Sequence, residues 1–321
     1  MMISSYPYDA NDDVINNIKL VIIIPAFNEE KLIGKTIQQI PQKISGVSTI
    51  KILVVNDGST DKTAEIALNA GADKIVSHNR NLGVGASFMT GIRNAISMNA
   101  DIVVTLDADS QFNPKQISEL ILPIIKKQFD VVIGSRFLNK NPIMPKIKKI
   151  GNKIFAKIVS LTIGQRLTDT QTGFRAYSKD ILLLISVVNE FTYTQEVLID
   201  LKFKGAIIGE IPVEVKYDSN RKSRVVKNIF SYSTNALSII LKSLVTHRPL
   251  MSFGLFGIML CGSGIFGKIL KFYDFLNLSS DLLNGLIILG IVSFMLGLFA
   301  NVVFKRQLFN EKELRRNLKI Q

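Results

Sequence analysis

Asp107-Ala108-Asp109 puts two carboxylates two positions apart, directly after the apolar run Ile102–Leu106. In extended backbone such residues share a face, so both acids can hold one hard divalent cation, Mg²⁺ or Mn²⁺, and the amide oxygen of Gln111 can complete its shell. A cation so held bridges diphosphate oxygens and neutralises charge building on a leaving group. The same short pattern also occurs as solvated loop acids or a helix cap, so its position has to carry the argument. Two further polar clusters end β-branched runs in the same way: Pro25-Ala26-Phe27-Asn28-Glu29-Glu30 after Leu20–Ile24, and Asn56-Asp57-Gly58-Ser59-Thr60-Asp61 after Ile50–Val55. In the second, Gly58 permits a tight turn, Asp57 can accept hydrogen bonds from a base or ribose, and Asp61 caps the next helix. In the first, Phe27 can border a base and Glu29 can bond to it, although turn chemistry accounts for that segment equally well.

These clusters need a scaffold that brings them to one edge. From Lys19 to about Gly134, short β-branched runs alternate with amphipathic stretches, the pattern of parallel strands joined by crossover helices. The expected strands are Leu20–Ile24, Ile50–Val55, Lys74–Val76, Ile102–Leu106 and Asp130–Ile133. The helices are Glu29–Gln39, Lys62–Asn69, Gly85–Ser97 and Pro114–Lys127, the last capped by Asn113. The fold class is therefore α/β, a Rossmann-like open sheet, and such sheets bind ligands beyond the carboxyl ends of their strands.

The second half changes character. Pro145–Gly164 mixes Lys146, Lys148, Lys149, Lys153 and Lys157 with apolar residues at helical spacing, a basic amphipathic helix suited to an anionic bilayer surface or, alternatively, to the surface of the soluble domain. Val225–Val245 is a second helix of this kind. Leu250–Gly267 and Leu282–Phe304 are uncharged and near the length that crosses a bilayer, the alternative being two buried core helices. Basic flanks at His247, Arg248, Lys305 and Arg306, against a loop with acids and no lysine, place both ends of this hairpin in the cytoplasm. The polar, acidic start Met1–Asn17 predicts no cleaved signal peptide, which leaves the catalytic domain on the cytoplasmic face. The resulting division is a tail over 1–18, a catalytic domain over 19–245 with interface helices, and a transmembrane hairpin (about 250–270 and 282–304) within 246–321.

The 39 Lys and Arg against 26 Asp and Glu give a net charge of +13, which calls for an anionic partner. The basic residues gather around the membrane segments without an aromatic platform, so nucleic acid is not expected. A single cysteine, Cys261, excludes an internal disulfide and a cysteine zinc site. Glycines over Gly254–Gly267 allow close helix contact and admit a homo-oligomer.

The ordered set of Ile24–Glu30, Val55–Thr63, Asn79–Ala86, Asp107–Pro114 and Gly134-Ser135-Arg136 resembles the inverting family-2 glycosyltransferases, in particular dolichyl-phosphate mannose and polyprenyl-phosphate glucose synthases. The resemblance covers about Lys19 to Lys227 and implies the GT-A fold, a nucleotide-sugar donor and a polyprenyl or dolichyl phosphate acceptor. It implies that Pro25, Phe27, Glu29, Val55 and Asp57 surround the nucleoside. It sets Asp107, Ala108, Asp109 and Gln111 at metal and diphosphate, and Arg136, Arg221 and Lys227 at phosphates. Asp107, Asp109, Arg136 and Arg221 are then the catalytic set. Asp169–Arg175 resembles a segment lining the acceptor side, where Arg175 can fork onto the lipid phosphate or form an ion pair with Asp169. Glu196, in a further family-like segment, positions substrate or buttresses the fold. Lys149, with Lys148, stands at the entry of the basic helix and can guide the lipid phosphate inward or serve the bilayer surface alone. Asn220–Arg224 departs from the usual arginine-glycine turn, so an altered geometry is expected of the loop that closes over the donor.

Two competing patterns fail. A processive polysaccharide synthase carries a Q-x-x-R-W motif, and this chain has no tryptophan. A dinucleotide fingerprint at Gly83-Val84-Gly85 lacks its third glycine, because Phe88 stands there, and it follows the third strand rather than the first.

Overall fold

The computed structural model describes residues 17–138, 144, 146–185, 193–216, 238, 241–242, 244–275 and 278–320. Its core is one seven-stranded sheet in the order β3-β2-β1-β4-β6-β5-β7. The strands are β1 (Ile18–Ala26), β2 (Val47–Asn56), β3 (Lys74–Ser77), β4 (Ile102–Thr105), β5 (Val131–Ser135), β6 (Arg175–Ser178) and β7 (Ile208–Pro212). The five expected strands are present, with β1 and β2 longer at both ends because parallel pairing continues from Ile18–Val47 to Ala26–Asn56.

The sheet is mixed rather than parallel throughout. β6 runs antiparallel between β4 and β5, and β7 pairs parallel to β5. Both strands escaped the sequence reading, since Arg-Ala-Tyr-Ser is too short and too polar to show a strand period. Their burial comes from neighbours on both faces, which only the tertiary arrangement supplies.

Helices α1 (Ile33–Gln38), α2 (Thr63–Asn69), α3 (Val84–Ser97) and α4 (Ile117–Ile125) flank the first half. α1 is shorter than expected because Glu29–Leu32 form a turn whose carbonyls start the helix. Asn113 caps as anticipated, its side chain accepting from the Lys115 N–H at the head of a 3₁₀ turn that precedes α4. Val21, Ile23, Leu53, Val55 and Val103 pack under Phe88 and Ile92 of α3 on one face. Leu20, Ile22, Ile24 and Val54 pack under α1 and α4 on the other. The basic helix is α5 (Lys146–Ile163), buried through Phe155, Ala156, Val159 and Ile163 and exposed at Lys148, Ile150, Lys153 and Ile154. After β6 come α6 (Lys179–Leu182) and α7 (Thr194–Phe203). The second basic helix over Val225–Val245 falls largely outside the described residues.

Two helices, α8 (Pro249–Phe272) and α9 (Ser280–Ile320), form the C-terminal hairpin. Both contain stretches long and apolar enough to cross a membrane, and only 22% and 17% of those stretches is buried, which speaks against two core helices. Gly254, Gly257, Gly264 and Gly267 of α8 face neighbours within the chain, whereas Gly262 faces open space. A Cβ on Gly257 would lie 2.6 Å from the Gly290 carbonyl, one on Gly264 would lie 2.9 Å from the Leu283 carbonyl, and Gly290 backs onto the Sγ of Cys261. The close helix contact that these glycines allow is thus made between α8 and α9.

Candidate active site

Parallel pairing of β1 with both β2 and β4 aligns their carboxyl ends, so the three polar clusters emerge side by side. The first two are joined by hydrogen bonds. Asn28 N–H donates to Ser59 Oγ at 2.9 Å, Thr60 N–H donates to Asn28 Oδ1 at 2.8 Å, and Glu29 N–H donates to Thr63 Oγ1 at 2.8 Å. Asn28 holds φ at 54° for this, a left-handed conformation that asparagine tolerates better than most residues. Gly58, at φ 70°, lies where a Cβ would come 2.4 Å from the Arg80 carbonyl carbon, so the turn presses on the segment after β3.

Asp57 is committed to that segment. Its carboxylate accepts N–H bonds from Leu82 and Gly83, both at 2.9 Å, and a bond from His78 Nδ1 at 2.7 Å. The other ring nitrogen of His78 meets Thr90 Oγ1 at 2.9 Å. Three of the acceptor positions that the sequence reading offered to a base or ribose thus organise the loop. Beside it opens a cavity of about 440 Å³ lined by Ser77, His78, Asn79, Arg80 and Leu82. Pro25, Phe27 and Glu29 border the same end of the sheet half-buried, while Val55 is fully buried beneath. His78 was missed because a lone histidine after a short strand carries no pattern.

The third cluster is fixed from α1. Thr36 Oγ1 donates to the Ala108 carbonyl at 3.1 Å and meets Ser110 Oγ at 2.6 Å, which holds Ser110 at a φ of 56°. Asp109 Oδ1 accepts from the Gln111 N–H at 3.1 Å. The Gln111 carbonyl in turn accepts from Lys216 N–H at 2.9 Å, and Phe112 bridges Val215. The chain that continues toward Arg221 and Lys227 thus departs from beside Gln111, although those two residues lie outside the described residues. Behind Asp107, Gly173 leaves no room for a side chain, since a Cβ there would sit 2.8 Å from Asp107 Oδ1. Burial pushes the Asp107 carboxyl up to about 7, the neighbouring charge of Asp109 adds to this, and Arg136 and Arg175 oppose it. Two acids sharing one site in this way are the charge excess that a divalent cation relieves. Among the described residues no group of three or more His, Cys, Asp and Glu gathers, and Asp107, Asp109 and Gln111 follow one another at this strand end.

Arg136 follows the end of β5 and is gripped by Asp169, with Nε to Oδ2 at 2.6 Å and Nη2 to Oδ1 at 2.9 Å. Asp169 is 1% exposed and is oriented by Glu210 of β7, which accepts the N–H groups of Thr168 and Asp169. The ion pair of Asp169 is therefore with Arg136 and not with Arg175. Arg175 is fully buried, and its guanidinium donates to the carbonyls of Thr170 at 2.9 Å and Thr194 at 2.7 Å. This overturns its assignment to a lipid phosphate. Its cation acts on the site at a distance, through the Asp107 carboxyl, and it ties β6 to the head of α7. Glu196 is half-buried on the first turn of α7, and Lys149 half-buried on the first turn of α5.

Comparison with known proteins agrees with this geometry. Residues 21–184 match the family model "Glycosyl transferase family 2". A UDP-N-acetylglucosamine–dolichyl-phosphate N-acetylglucosaminyltransferase of Methanococcus voltae is 34% identical over 226 residues, covering 64% of this chain and 88% of that protein. A dolichyl-phosphate hexose transferase of Haloferax volcanii is 30% identical, covering 60% and 81%. Among solved structures, glucosyl-3-phosphoglycerate synthase of Mycobacterium tuberculosis with bound UDP superposes with a TM-score of 0.57 at 19% identity, covering 75% of this chain and 85% of that one. With the fold, the aligned strand ends and the paired acids in place, the chain belongs to glycosyl transferase family 2.

Proposed function

We propose that this enzyme transfers a hexose from a nucleoside-diphosphate sugar to a polyprenyl or dolichyl phosphate, with inversion, at the cytoplasmic face of a membrane. The observation that carries the reading is the union in one chain of a strand-end acid pair, the basic helix α5 and an exposed apolar hairpin. Relatives named for dolichyl-phosphate acceptors support it. The positive flanks of the hairpin support a cytoplasmic position for its ends and for the catalytic domain.

In this reading Asp107 and Asp109, with Gln111, would hold Mg²⁺ or Mn²⁺, which when bound neutralises the diphosphate leaving group. Phe27 and the segment ordered by Asp57 would enclose the nucleoside. Arg136, held rigid by Asp169, presents a preoriented cation to developing phosphate charge, and Arg221 and Lys227 would join it from the loop that leaves beside Gln111. The acceptor needs no strong general base, because a phosphate monoester with a second pKa of about 6 is already largely dianionic at neutral pH. Its attack opposite to the departing diphosphate inverts the anomeric carbon. Lys149 and the exposed lysines of α5 supply positive potential toward an anionic headgroup.

The test incubates detergent-solubilised protein and Mn²⁺ or Mg²⁺ with labelled UDP- and GDP-sugars, UDP-N-acetylglucosamine included, and short polyprenyl phosphates. Metal-dependent label in the organic phase is expected, and the active donor names the sugar. Nucleotide binding without a lipid product from any donor would sink the lipid acceptor.

A further inference from the structure

Where the catalytic domain meets the hairpin, side chains of α7, α9 and the residues before α8 build one junction. The His247 ring stacks on Phe203 with 4.9 Å between centroids and meets Phe304 edge-on at 5.5 Å. Its Nε2 lies 3.6 Å from Asp200, whose charge is already matched by Lys204 at 2.9 Å. Arg248 is different. Its guanidinium lies over the Phe203 ring at 5.9 Å, and among the described residues no carboxylate pairs with it.

Beside Arg248 opens a cavity of about 320 Å³ lined by His247, Arg248, Leu250, Met251 and Asn301. The lining is cationic and polar at Arg248 and Asn301 and apolar at Leu250 and Met251. Asn301 interrupts an apolar run of α9 that reads Leu298, Phe299, Ala300 before it and Val302, Val303, Phe304 after it. An amide at that depth calls for a partner. Ser293, further along the same helix, has one in the Phe253 carbonyl at 2.9 Å, whereas among the described residues no protein group answers the Asn301 amide.

We propose that this cavity binds the phosphodiester headgroup of an anionic bilayer phospholipid. Arg248 offers a planar donor fork matched to two phosphate oxygens, and the Asn301 amide donates to a third. The first turn of α8 adds its positive partial charge from the same side. Leu250 and Met251 line the path of the first methylenes of an acyl chain, which a soluble phosphate would leave wet. The cavity's level fits as well, since the α8 start and the pair Lys305 and Arg306 mark the headgroup zone of the basic membrane face.

The test places the full chain in nanodiscs of mixed phosphatidylglycerol and phosphatidylcholine and reads retained lipid by native mass spectrometry. Selective retention of phosphatidylglycerol is expected, and Arg248→Gln and Asn301→Leu should each lower its apparent affinity about tenfold, the loss of one charge-assisted or buried polar contact. Asn301→Leu keeps the hairpin apolar, so it carries the test if Arg248→Gln disturbs the contact with Phe203. Equal retention of phosphatidylcholine, or unchanged retention in Asn301→Leu, overturns the site. Displacement by glycerol 3-phosphate alone would assign it to a soluble phosphate instead, and displacement by polyprenyl phosphate to the acceptor; both overturn the phospholipid.

Discussion

Asp169 holds Arg136 through both guanidinium nitrogens that face it, at 2.6 and 2.9 Å, from a position 1% exposed to solvent. The pair turns a flexible arginine at a strand end into a fixed cation beside the acid pair. Asp169→Asn should therefore lower kcat/KM by about tenfold or more through loss of orientation, and destabilise the fold by about 3 kcal/mol as a buried pair is broken. Steady-state kinetics and thermal unfolding on the same preparation check both. Unchanged kcat/KM would show that Arg136 acts without its partner.

Gly173 tests the acid pair from behind. Gly173→Ala places a Cβ within 2.8 Å of Asp107 Oδ1, and the carboxylate can yield by turning. The protein should fold while the metal concentration for half activity rises about tenfold or more, the cost of a misdirected ligand. Asp109→Ala, the direct counterpart, should remove metal-dependent transfer altogether and leave membrane insertion intact. Full activity in that variant would dispose of the metal assignment.

His78 ties Asp57 to Thr90 through its two ring nitrogens. His78→Ala frees the loop through Leu82 and Gly83, so the donor KM should rise about fivefold to tenfold with a smaller change in kcat, as expected when ground-state and transition-state binding weaken together. A change in kcat alone would place His78 nearer the chemistry.

Glu210 gives a pH signature. Burial raises its carboxyl above the usual range, against the N–H bonds from Asp169 and Thr168 that lower it. A raised acid binds a proton in the fold at pH values where the unfolded chain has released it. Its contribution to stability is thus full below the unfolded value of 4.5 and is lost as pH rises through the folded value. Apparent Tm against pH should fall across that window in the wild type and flatten in Glu210→Gln; equal slopes would refute the assignment.

The hairpin carries its own reporter. Cys261 packs on Gly290, and Gly257 faces the Gly290 carbonyl. Gly257→Val must part α8 from α9, so maleimide labelling of Cys261 in detergent should quicken several-fold and apparent Tm should fall by several degrees, as for loss of about 1–3 kcal/mol by overpacking. Unchanged labelling would mean that the helices meet elsewhere.

Much of this architecture is local and was legible in the residues. Short runs rich in β-branched residues, such as Val21–Ile24 and Val103–Val104, suit the pleated interior of a sheet, and the clusters after them, from Asn28 to Asp109, mark strand ends by their turn chemistry. The basic amphipathic α5 and the two apolar helices likewise follow from periodicity and length alone. What the tertiary structure decided is where polar groups found partners. β6 is a strand only because β4 and β5 flank it, Arg175 is buried because the carbonyls of Thr170 and Thr194 receive it, and Asp169 pairs with Arg136 rather than with Arg175, its nearer neighbour in sequence. Spacing along the chain cannot settle such choices, because a hydrogen bond depends on distance and direction in space, and these partners are brought together by strands far apart in sequence.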